Sequence, residues 1–411
     1  MHFVHSQRVV FGCRVIGNIK EKGRKMGLGI GIDTGGTYTD AVLFDFETRE
    51  VLAQGKARTT KGNLAVGICN ALDNLPSEQA KQAQVIALST TLATNACVEG
   101  KGGRAKAVLV GTNESVLRRI DSANTYGFTL DDALCIDVAG SYDGKVVVQP
   151  NWEEVMDENA AFLSQAQAFG IAEVYAARNG AVVEHEGARM LEERFGVPVI
   201  IASSLVNGAN MMERGATAML NARLLPVIRE FLDATTAALH ERGITAPVMV
   251  VRSDGGLMNE DFARRVPVET MVSGPAASVR GVRELADTAA ETALVVDMGG
   301  TTSDISLIED GSAATTKGIR IGNWRTQVSG VLIDTFGLGG DSLVTWENGV
   351  ISLAEQRVEP LCMACARWPE LLDGLEQLAA WDNKVFRPLY EVLYLVREPL
   401  EGLEYSDVEN A

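Results

Sequence analysis

Two short segments of this 411-residue sequence repeat the same chemistry-bearing residues at the same spacing. Asp33-Thr-Gly-Gly-Thr-Tyr-Thr-Asp40 recurs as Asp297-Met-Gly-Gly-Thr-Thr-Ser-Asp304, with Asp, Gly, Gly, Thr and Asp in register. Each segment follows an apolar run and leads into another, so each predicts a strand, a tight Gly-Gly turn and a second strand. The copies lie a domain's length apart, which favours two homologous lobes over a solenoid.

The atoms of such a hairpin suit a nucleotide. Two glycines permit left-handed backbone angles and a close approach of phosphate, so that successive N–H groups form an anion nest. A hydroxyl (Thr37, Thr301) adds a donor, and the leading carboxylate (Asp33, Asp297) is placed to hold Mg²⁺ through its waters. The alternative is that Gly-Gly closes two ordinary hairpins. Two matching copies favour the nucleotide, and the sequence has neither a Walker A motif nor a dinucleotide-binding glycine motif.

The elements that position these hairpins follow an α/β pattern. From Met26 onward, short apolar runs alternate with longer helical patterns, which is typical of sheets covered by helices. The strand candidates include Gly29–Asp33, Ala41–Phe46, Val85–Ser89, Glu173–Ala177, Val248–Arg252, Ala293–Asp297 and Ile305–Ile308. The helical patterns include Leu64–Leu75, Trp152–Ala168, Glu184–Phe195 and Asn210–His240.

The amino-acid composition restricts the classes of binding partner and the cellular compartment that we expect. The chain has 54 Asp and Glu against 37 Lys and Arg, a net charge of −17, so we expect neither nucleic acid nor an anionic membrane as a partner. Six scattered cysteines fit reduced thiols in the cytoplasm, and no apolar run approaches the ~18 residues of a membrane span. The Cys362–Cys365 pair is weak evidence for a metal or redox site.

The duplicated motif resembles the phosphate loops of the actin, sugar kinase and heat-shock chaperone ATPase superfamily. Five further segments are similar to the hydantoinase A/5-oxoprolinase family: Leu88–Ala96, Met212–Ala222, Val251–Met258, Ser273–Ala277 and Gly337–Ser342. The resemblance covers about Gly29 to Pro360. It implies two ribonuclease H-like lobes with an ATP cleft between them. It also implies ATP-dependent hydrolysis of cyclic amides, with ketone carboxylases as relatives and a partner subunit in many members.

The resemblance also assigns residues to the site. It implies a first phosphate loop (Asp33, Gly35, Gly36, Thr37), a second (Asp297, Gly299, Gly300, Thr301) and a nucleotide contact on the adenosine side (Gly337, Gly339, Gly340). Thr39, Asp40 and Asp304 are expected beside the nucleotide, where the two aspartates orient the hairpins or the metal waters, or cap the turns. Arg252 and Asp254 follow a strand and precede Gly255-Gly256, at the sheet edge where α/β sites collect, so we expect them to contact substrate or phosphate, or else to form a surface ion pair. In one departure, Ser89 stands where many members have His.

We therefore expect a disordered basic leader (1–25), an N-terminal hydantoinase/oxoprolinase lobe (26–195), a hydantoinase A domain with the second phosphate loop (196–360) and a short helical tail (361–411). The expected function is Mg-ATP-dependent hydrolysis of a hydantoin or a 5-oxoproline-like lactam, through phosphoryl transfer to the amide oxygen. The alternatives are a small-molecule kinase and a nucleotide-binding subunit or activator without substrate chemistry. Apolar residues in the tail predict association with a second subunit or with itself.

Overall fold

The computed structural model describes residues 27–60, 63–285, 292–300, 302–347, 349–359, 364–365 and 367–373. The predicted leader, Thr301, Cys362 and most of the predicted tail lie outside these residues. The described chain divides into two compact units. The first contains the residues up to 293 and Leu307–Leu332, and the second contains Leu294–Ser306 and the residues from 333 onward. The predicted domain boundaries near 195 and 360 stay predictions.

The first unit begins with an alternation of strands and helices. Its strands up to residue 259 are β1 Leu28–Thr34, β2 Tyr38–Asp45, β3 Glu50–Arg58, β4 Ala83–Thr90, β5 Ala105–Val110, β6 Ala133–Ile136, β7 Ala168–Glu173, β8 Val199–Ile201, β9 Val248–Val251 and β10 Leu257–Asn259. Its helices are α1 Leu64–Leu72, α2 Ser77–Ala80, α3 Leu92–Val98, α4 Glu114–Arg119, α5 Ser122–Tyr126, α6 Trp152–Glu158, α7 Ala160–Leu163, α8 Ala176–Asn179, α9 Val182–Phe195, α10 Ala202–Leu205, α11 Met211–Glu241, α12 Glu260–Arg265 and α13 Ser273–Leu285.

A six-stranded mixed sheet carries the first Gly-Gly hairpin. Its order is β10-β9-β4-β1-β2-β3, in which β1, β4 and β9 run parallel and the other pairs are antiparallel. The predicted hairpin is confirmed, because β1 and β2 pair in a register that sets Asp33 opposite Asp40. Ile30 and Ile32 of β1 are buried in the main core. Burial of β1 on both faces makes this strand a rigid base for the turn that follows it.

A four-stranded parallel sheet, in the order β6-β5-β7-β8, is the second large sheet of this unit. The long helix α11 packs on β5 and β7. It starts at a capping residue, Asn210, whose side chain accepts a hydrogen bond from the Met212 N–H at 3.0 Å, which confirms the helix predicted over Asn210–His240. Gly170 of β7 permits the close packing, because a Cβ atom there would lie 2.6 Å from the backbone nitrogen of Met219.

Two predicted elements between residues 152 and 177 differ from the structure in their bounds. The helix expected over Trp152–Ala168 is the pair α6 and α7, and the strand expected over Glu173–Ala177 ends where it was expected to begin, because β7 covers Ala168–Glu173. The Glu173 N–H donates to the Glu184 carboxylate at 2.8 Å, and its carbonyl accepts from Arg214. These buried side chains take over the backbone groups of Glu173, so the strand stops there.

The remaining strands surround the second hairpin or follow it. They are β11 Ala293–Met298, β12 Ser303–Glu309, β13 Ser312–Ala313, β14 Thr315–Lys317, β15 Arg320–Ile321, β16 Trp324–Arg325, β17 Ser329–Val331, β18 Ile333–Phe336, β19 Ser342–Glu347 and β20 Val350–Arg357. In the second unit, β11 and β18 lie on either side of β12, and β19 pairs with β20. Among the described residues, no helix combines the length and the apolar character needed to cross a bilayer.

Candidate nucleotide and substrate site

The first Gly-Gly turn leaves its central residues open to a ligand. The Gly35 N–H donates to the Tyr38 carbonyl at 2.9 Å and closes the turn, while Gly36 and Thr37 are exposed. The prediction of left-handed backbone angles was wrong for the glycines of this turn, because neither Gly35 nor Gly36 has a positive φ. Space explains Gly35, where a Cβ atom would lie 3.2 Å from the Tyr38 oxygen. The loop can therefore offer N–H groups without the alternating angles of a nest.

The carboxylate of Asp33 is held under the start of a helix. Asp33 is 2% exposed, and the Ser89 hydroxyl on the neighbouring strand β4 donates to its Oδ1 at 2.7 Å. Helix α13 begins beside it, since a Cβ atom on Gly274 would lie 3.8 Å from the same Oδ1. The positive end of a helix stabilises a nearby carboxylate. Ser89, which the sequence marked only as a departure from the family pattern, is thus a direct partner of Asp33.

Two residues after the turn brace it from within the sheet. Thr39 is buried, and its hydroxyl lies 3.0 Å from that of Thr59. Thr59 in turn donates through its hydroxyl to the Gly35 carbonyl at 2.9 Å and through its N–H to the Thr37 carbonyl. Asp40 pairs with Lys56 across β2 and β3 at 2.9 Å. Thr39 is thus linked to the loop through Thr59, whereas the Lys56 partner of Asp40 lies on the neighbouring strand. Thr59 is the member of this group that the sequence motif did not reveal.

Arg252 and Asp254 lie at the same edge of the sheet as Asp33. The parallel strands β1, β4 and β9 all end there, and extending the register of Leu88 with Val250 by two residues sets Arg252 level with Thr90. Thr90 is in turn paired with Thr34. Two strand spacings separate Arg252 from Thr34, which is about 10 Å between backbones. Carboxyl ends of parallel strands are where α/β proteins collect their ligand sites.

A tight turn fixes these two side chains. The Gly255 N–H donates to the Arg252 carbonyl at 2.9 Å, Gly255 has a φ of 78°, and the Asp254 carboxylate accepts from the Gly256 N–H at 2.8 Å. Arg252 forms ion pairs with Glu269 at 3.1 Å and with Asp254 at 3.6 Å. Burial raises the pKa of Glu269 above its ordinary value, and the Arg252 charge opposes that rise. Glu269 was not predicted as a site residue, because it lies outside every motif.

The second hairpin, in the second unit, repeats the bond that closes the first. The Gly299 N–H donates to the Thr302 carbonyl at 2.7 Å, as Gly35 does to Tyr38. Thr335 donates its hydroxyl to Asp304 at 2.7 Å. A Cβ atom on Gly300 would meet nothing within 4 Å. The described part of this turn is therefore open on the side of Gly300.

The glycine-rich segment predicted at the adenosine side contacts this second turn directly. The Gly340 N–H donates to the Gly299 carbonyl at 3.0 Å, and the Asp341 N–H donates to the Gly300 carbonyl at 2.8 Å. Ser303 donates its hydroxyl to the Leu338 carbonyl at 2.6 Å. The structure thus brings Gly337–Gly340 and the second Asp-x-Gly-Gly motif into one cluster of loops, although they are nearly forty residues apart.

The predicted magnesium ligands fit a metal that is bound mainly by water and phosphate. Within the described ranges, no three His, Cys, Asp or Glu side chains form a group that could hold a metal ion. Mg²⁺ in nucleotide sites commonly uses one or two carboxylates, several waters and the phosphates themselves. Asp33 and Asp297 each place a carboxylate next to a Gly-Gly turn, and a carboxylate is the kind of side chain that Mg²⁺ uses in such sites. His185 and His240 are both exposed.

Comparison with known proteins identifies the family. Residues 29–194 match the hydantoinase/oxoprolinase N-terminal region, and residues 214–365 match hydantoinase/oxoprolinase. The chain belongs to the hydantoinase/oxoprolinase family. Both Gly-Gly turns, Arg252 and Asp254 fall within the matched ranges. Among its relatives is caprolactamase subunit alpha of Pseudomonas jessenii, with 26% identity over 337 residues, 76% of this chain and 48% of the relative.

Other family members match a smaller part or the fold. 5-Oxoprolinase 1 of Arabidopsis thaliana is 31% identical over 162 residues, 39% of this chain and 13% of that protein. The crystal structure of ATP-dependent caprolactamase from Pseudomonas jessenii superposes with a TM-score of 0.63 at 24% identity, over 80% of this chain and 50% of that one. This chain thus shares its mixed α/β fold with that structure, and it spans about half the length of the caprolactamase subunit.

Proposed function

We propose that this chain is the nucleotide-binding part of an enzyme that uses Mg-ATP to hydrolyse a cyclic amide. The observation that carries the proposal is the pair of Asp-x-Gly-Gly turns, which are closed by the same N–H to carbonyl bond three residues apart. The names of two relatives, a caprolactamase and a 5-oxoprolinase, agree with an amide in a ring as substrate.

In this proposal each turn binds phosphate oxygens through its N–H groups and its Thr hydroxyl, Thr37 or Thr301. Asp33 and Asp297 hold the waters of Mg²⁺, which neutralises phosphate charge, and Gly337, Gly339 and Gly340 contact the adenosine side. The two-lobed ribonuclease H-like architecture belongs to the same proposal. An unstrained amide is a poor electrophile, and phosphoryl transfer to its oxygen creates a leaving group before water attacks. Positioning by Arg252 and Asp254 would supply much of the rate.

The two alternatives predict different products. A kinase of the same superfamily would leave a stable phosphorylated product, and a nucleotide-binding subunit or activator would turn over no substrate of its own. The hydrolase fits the relatives better, because a caprolactamase and a 5-oxoprolinase both act on a ring amide. One relative is a subunit named alpha. We therefore include a second subunit, or a second copy of this chain, in the proposal. A cytoplasmic location is a further part of the proposal.

Phosphate release from Mg-ATP, measured with 5-oxoproline, hydantoin, caprolactam and simple ketones, tests the function. We expect a cyclic amide to stimulate release and Asp33→Asn or Asp297→Asn to lower it at least a hundredfold. Asparagine is preferred at position 33 because alanine would leave the buried Ser89 hydroxyl without its acceptor. Asp131→Asn, at an exposed position away from the site, is the control. Full turnover in both site variants would contradict the assignment.

A further inference from the structure

The turn after β9 carries balanced charges. Arg252 and Asp254 belong to the turn, Glu269 pairs with Arg252, and Arg280 of α13 donates its Nε to the Gly255 carbonyl at 3.3 Å. Two guanidinium groups and two carboxylates cancel, so the turn has no excess charge for an ionic ligand. A ligand held here would be recognised by hydrogen bonds in a defined geometry.

Glu269 fixes the orientation of the Arg252 guanidinium. Both Nε and Nη2 of Arg252 donate to Glu269 Oε2, at 3.3 and 3.1 Å, and neither bond uses Nη1. The Glu269 side chain is only 14% exposed. Its backbone is tied to the turn as well, because the N–H and the hydroxyl of Ser253 both donate to the Glu269 carbonyl, at 2.8 and 2.9 Å. The guanidinium is therefore held from behind, while a third of the Arg252 side chain remains exposed.

A hydrogen-bond acceptor lies next to this donor. Asp254 uses Oδ1 to accept from the Gly256 N–H, and its Oδ2 is 3.6 Å from Arg252 Nη2. The Asp254 side chain is 32% exposed. The turn thus presents one fixed donor and one fixed acceptor side by side, on the sheet edge that also carries the first phosphate hairpin.

This pair matches one edge of a ring amide. The amide in a small ring is forced to be cis, so its carbonyl oxygen and its N–H lie on the same edge and need a donor and an acceptor next to each other. An open-chain secondary amide is trans and points the two groups to opposite sides. A ketone lacks the N–H altogether. We propose that Arg252 and Asp254 recognise the cis N–H/C=O edge of a lactam with an unsubstituted nitrogen, and that Glu269 is the positioning residue for Arg252. This inference rests on the proposed function and narrows its substrate class.

The test compares caprolactam with N-methylcaprolactam on the full chain with Mg-ATP. Binding of each lactam is measured by saturation-transfer NMR, and turnover by phosphate release. We expect the N-methyl compound to bind at least tenfold more weakly, because the methyl group replaces the hydrogen that Asp254 accepts. Asp254→Asn, which keeps the bond to Gly256 and turns Oδ2 into a donor, should raise the KM for caprolactam at least tenfold. It should leave the Kd for ATP unchanged.

Glu269→Gln tests the positioning role. We expect a several-fold rise in the KM for caprolactam with little change in kcat or in the Kd for ATP, a split that a general loss of stability would not produce. The matched control is Glu260→Gln, which removes the carboxylate of a similar ion pair, with Arg264 at 2.6 Å, away from the turn.

The outcomes separate the two proposals. Phosphate release that is equal for both lactams, or unaffected by Asp254→Asn and Glu269→Gln, would overturn this inference and leave the hydrolase standing. Binding that depends on the lactam N–H without any phosphate release would support the inference and overturn the hydrolase. Absence of both binding and stimulation by either lactam would overturn both.

Discussion

Replacing Gly36 by alanine should separate nucleotide binding from stability. Gly36 is exposed, its φ lies outside the left-handed region, and a Cβ atom there would lie 3.4 Å from Asn95 Nδ2, at ordinary contact distance. The folded chain can therefore accept the methyl group without strain. A glycine replaced by alanine at such a position gains about 0.4–1 kcal/mol, because the unfolded chain loses conformational freedom. We expect Gly36→Ala to be at least as stable as the wild type.

The same methyl group should weaken ATP binding. If the backbone of Gly36 faces a phosphate, the Cβ atom pushes the phosphate away from the turn and lengthens at least one N–H to phosphate bond. A hydrogen bond to a charged group contributes about 1.5–3 kcal/mol, which corresponds to a rise in Kd of roughly 10- to 150-fold. Calorimetric titration with ATP and urea unfolding measure the two effects on the same sample.

Two further glycines complete this experiment. Gly300→Ala places the methyl group in open space in the second copy and should give the same result as Gly36→Ala. Gly27→Ala is the control, because its Cβ atom would lie 3.5 Å from Gln84 Nε2, outside either turn. Wild-type affinity in both turn variants would refute the phosphate-loop assignment and return the Gly-Gly pairs to ordinary hairpins.

The remaining predictions concern four positions, Ser89, Glu269, Val295 and Val296. Ser89→Ala should cost about 1.5–3 kcal/mol in urea unfolding, since the Asp33 carboxylate loses a buried donor; an unchanged midpoint would contradict the 2.7 Å bond. Burial raises the pKa of Glu269, so its contribution to stability is complete below its ordinary pKa of 4.5 and is lost as pH rises through the folded value. Wild-type protein should therefore lose stability relative to Glu269→Gln as the pH rises above 4.5, and parallel unfolding curves would refute this. Val296→Glu, at a position 54% exposed, should change stability by less than about 0.5 kcal/mol, whereas Val295→Glu, at 4% exposed, should cost several kcal/mol.

The sequence predicts the elements that are fixed by local patterns. The hairpin around Gly35 and Gly36, the parallel strands that lead to Asp33 and Arg252, and the long helix from Met211 all follow from apolar periodicity and turn residues. The backbone angles of Gly35 and Gly36 were not predictable from the residue type. Glycine is found where the backbone needs a left-handed angle, but it is also found where a side chain would not fit. The structure shows a crowded turn at Gly35 and no left-handed angle.

Side-chain contacts between residues that are distant in the chain were not predictable from the sequence. Ser89 reaches Asp33 because β1 and β4 pair in parallel, and Glu269 reaches Arg252 because a 3-10 turn, Pro267–Thr270, follows β9 and β10. Neither contact has a signature in sequence spacing. The same holds for Arg214, which is fully buried and whose carbonyl partners include Glu173, forty-one residues earlier. Burial lowers the pKa of Arg214, and a buried guanidinium of this kind needs such partners.

The two copies of the motif share a turn but differ in their surroundings. In the first copy, β1 is buried on both faces after its first residue, as its unbroken apolar run predicts. In the second copy, β11 has the same kind of run, yet Leu294, Val296 and Met298 are exposed on one face, and only Val295 is buried among its apolar residues. The repeat therefore predicts the same turn with the same polar groups in both copies, because these features depend only on the eight residues of the motif. The repeat does not predict what packs on the strand before the turn. Substitutions at Val295 and Val296 test that packing, because one of these neighbouring side chains is buried and the other is exposed. If Val296→Glu proves as costly as Val295→Glu, the face of β11 that carries Leu294, Val296 and Met298 is covered in solution.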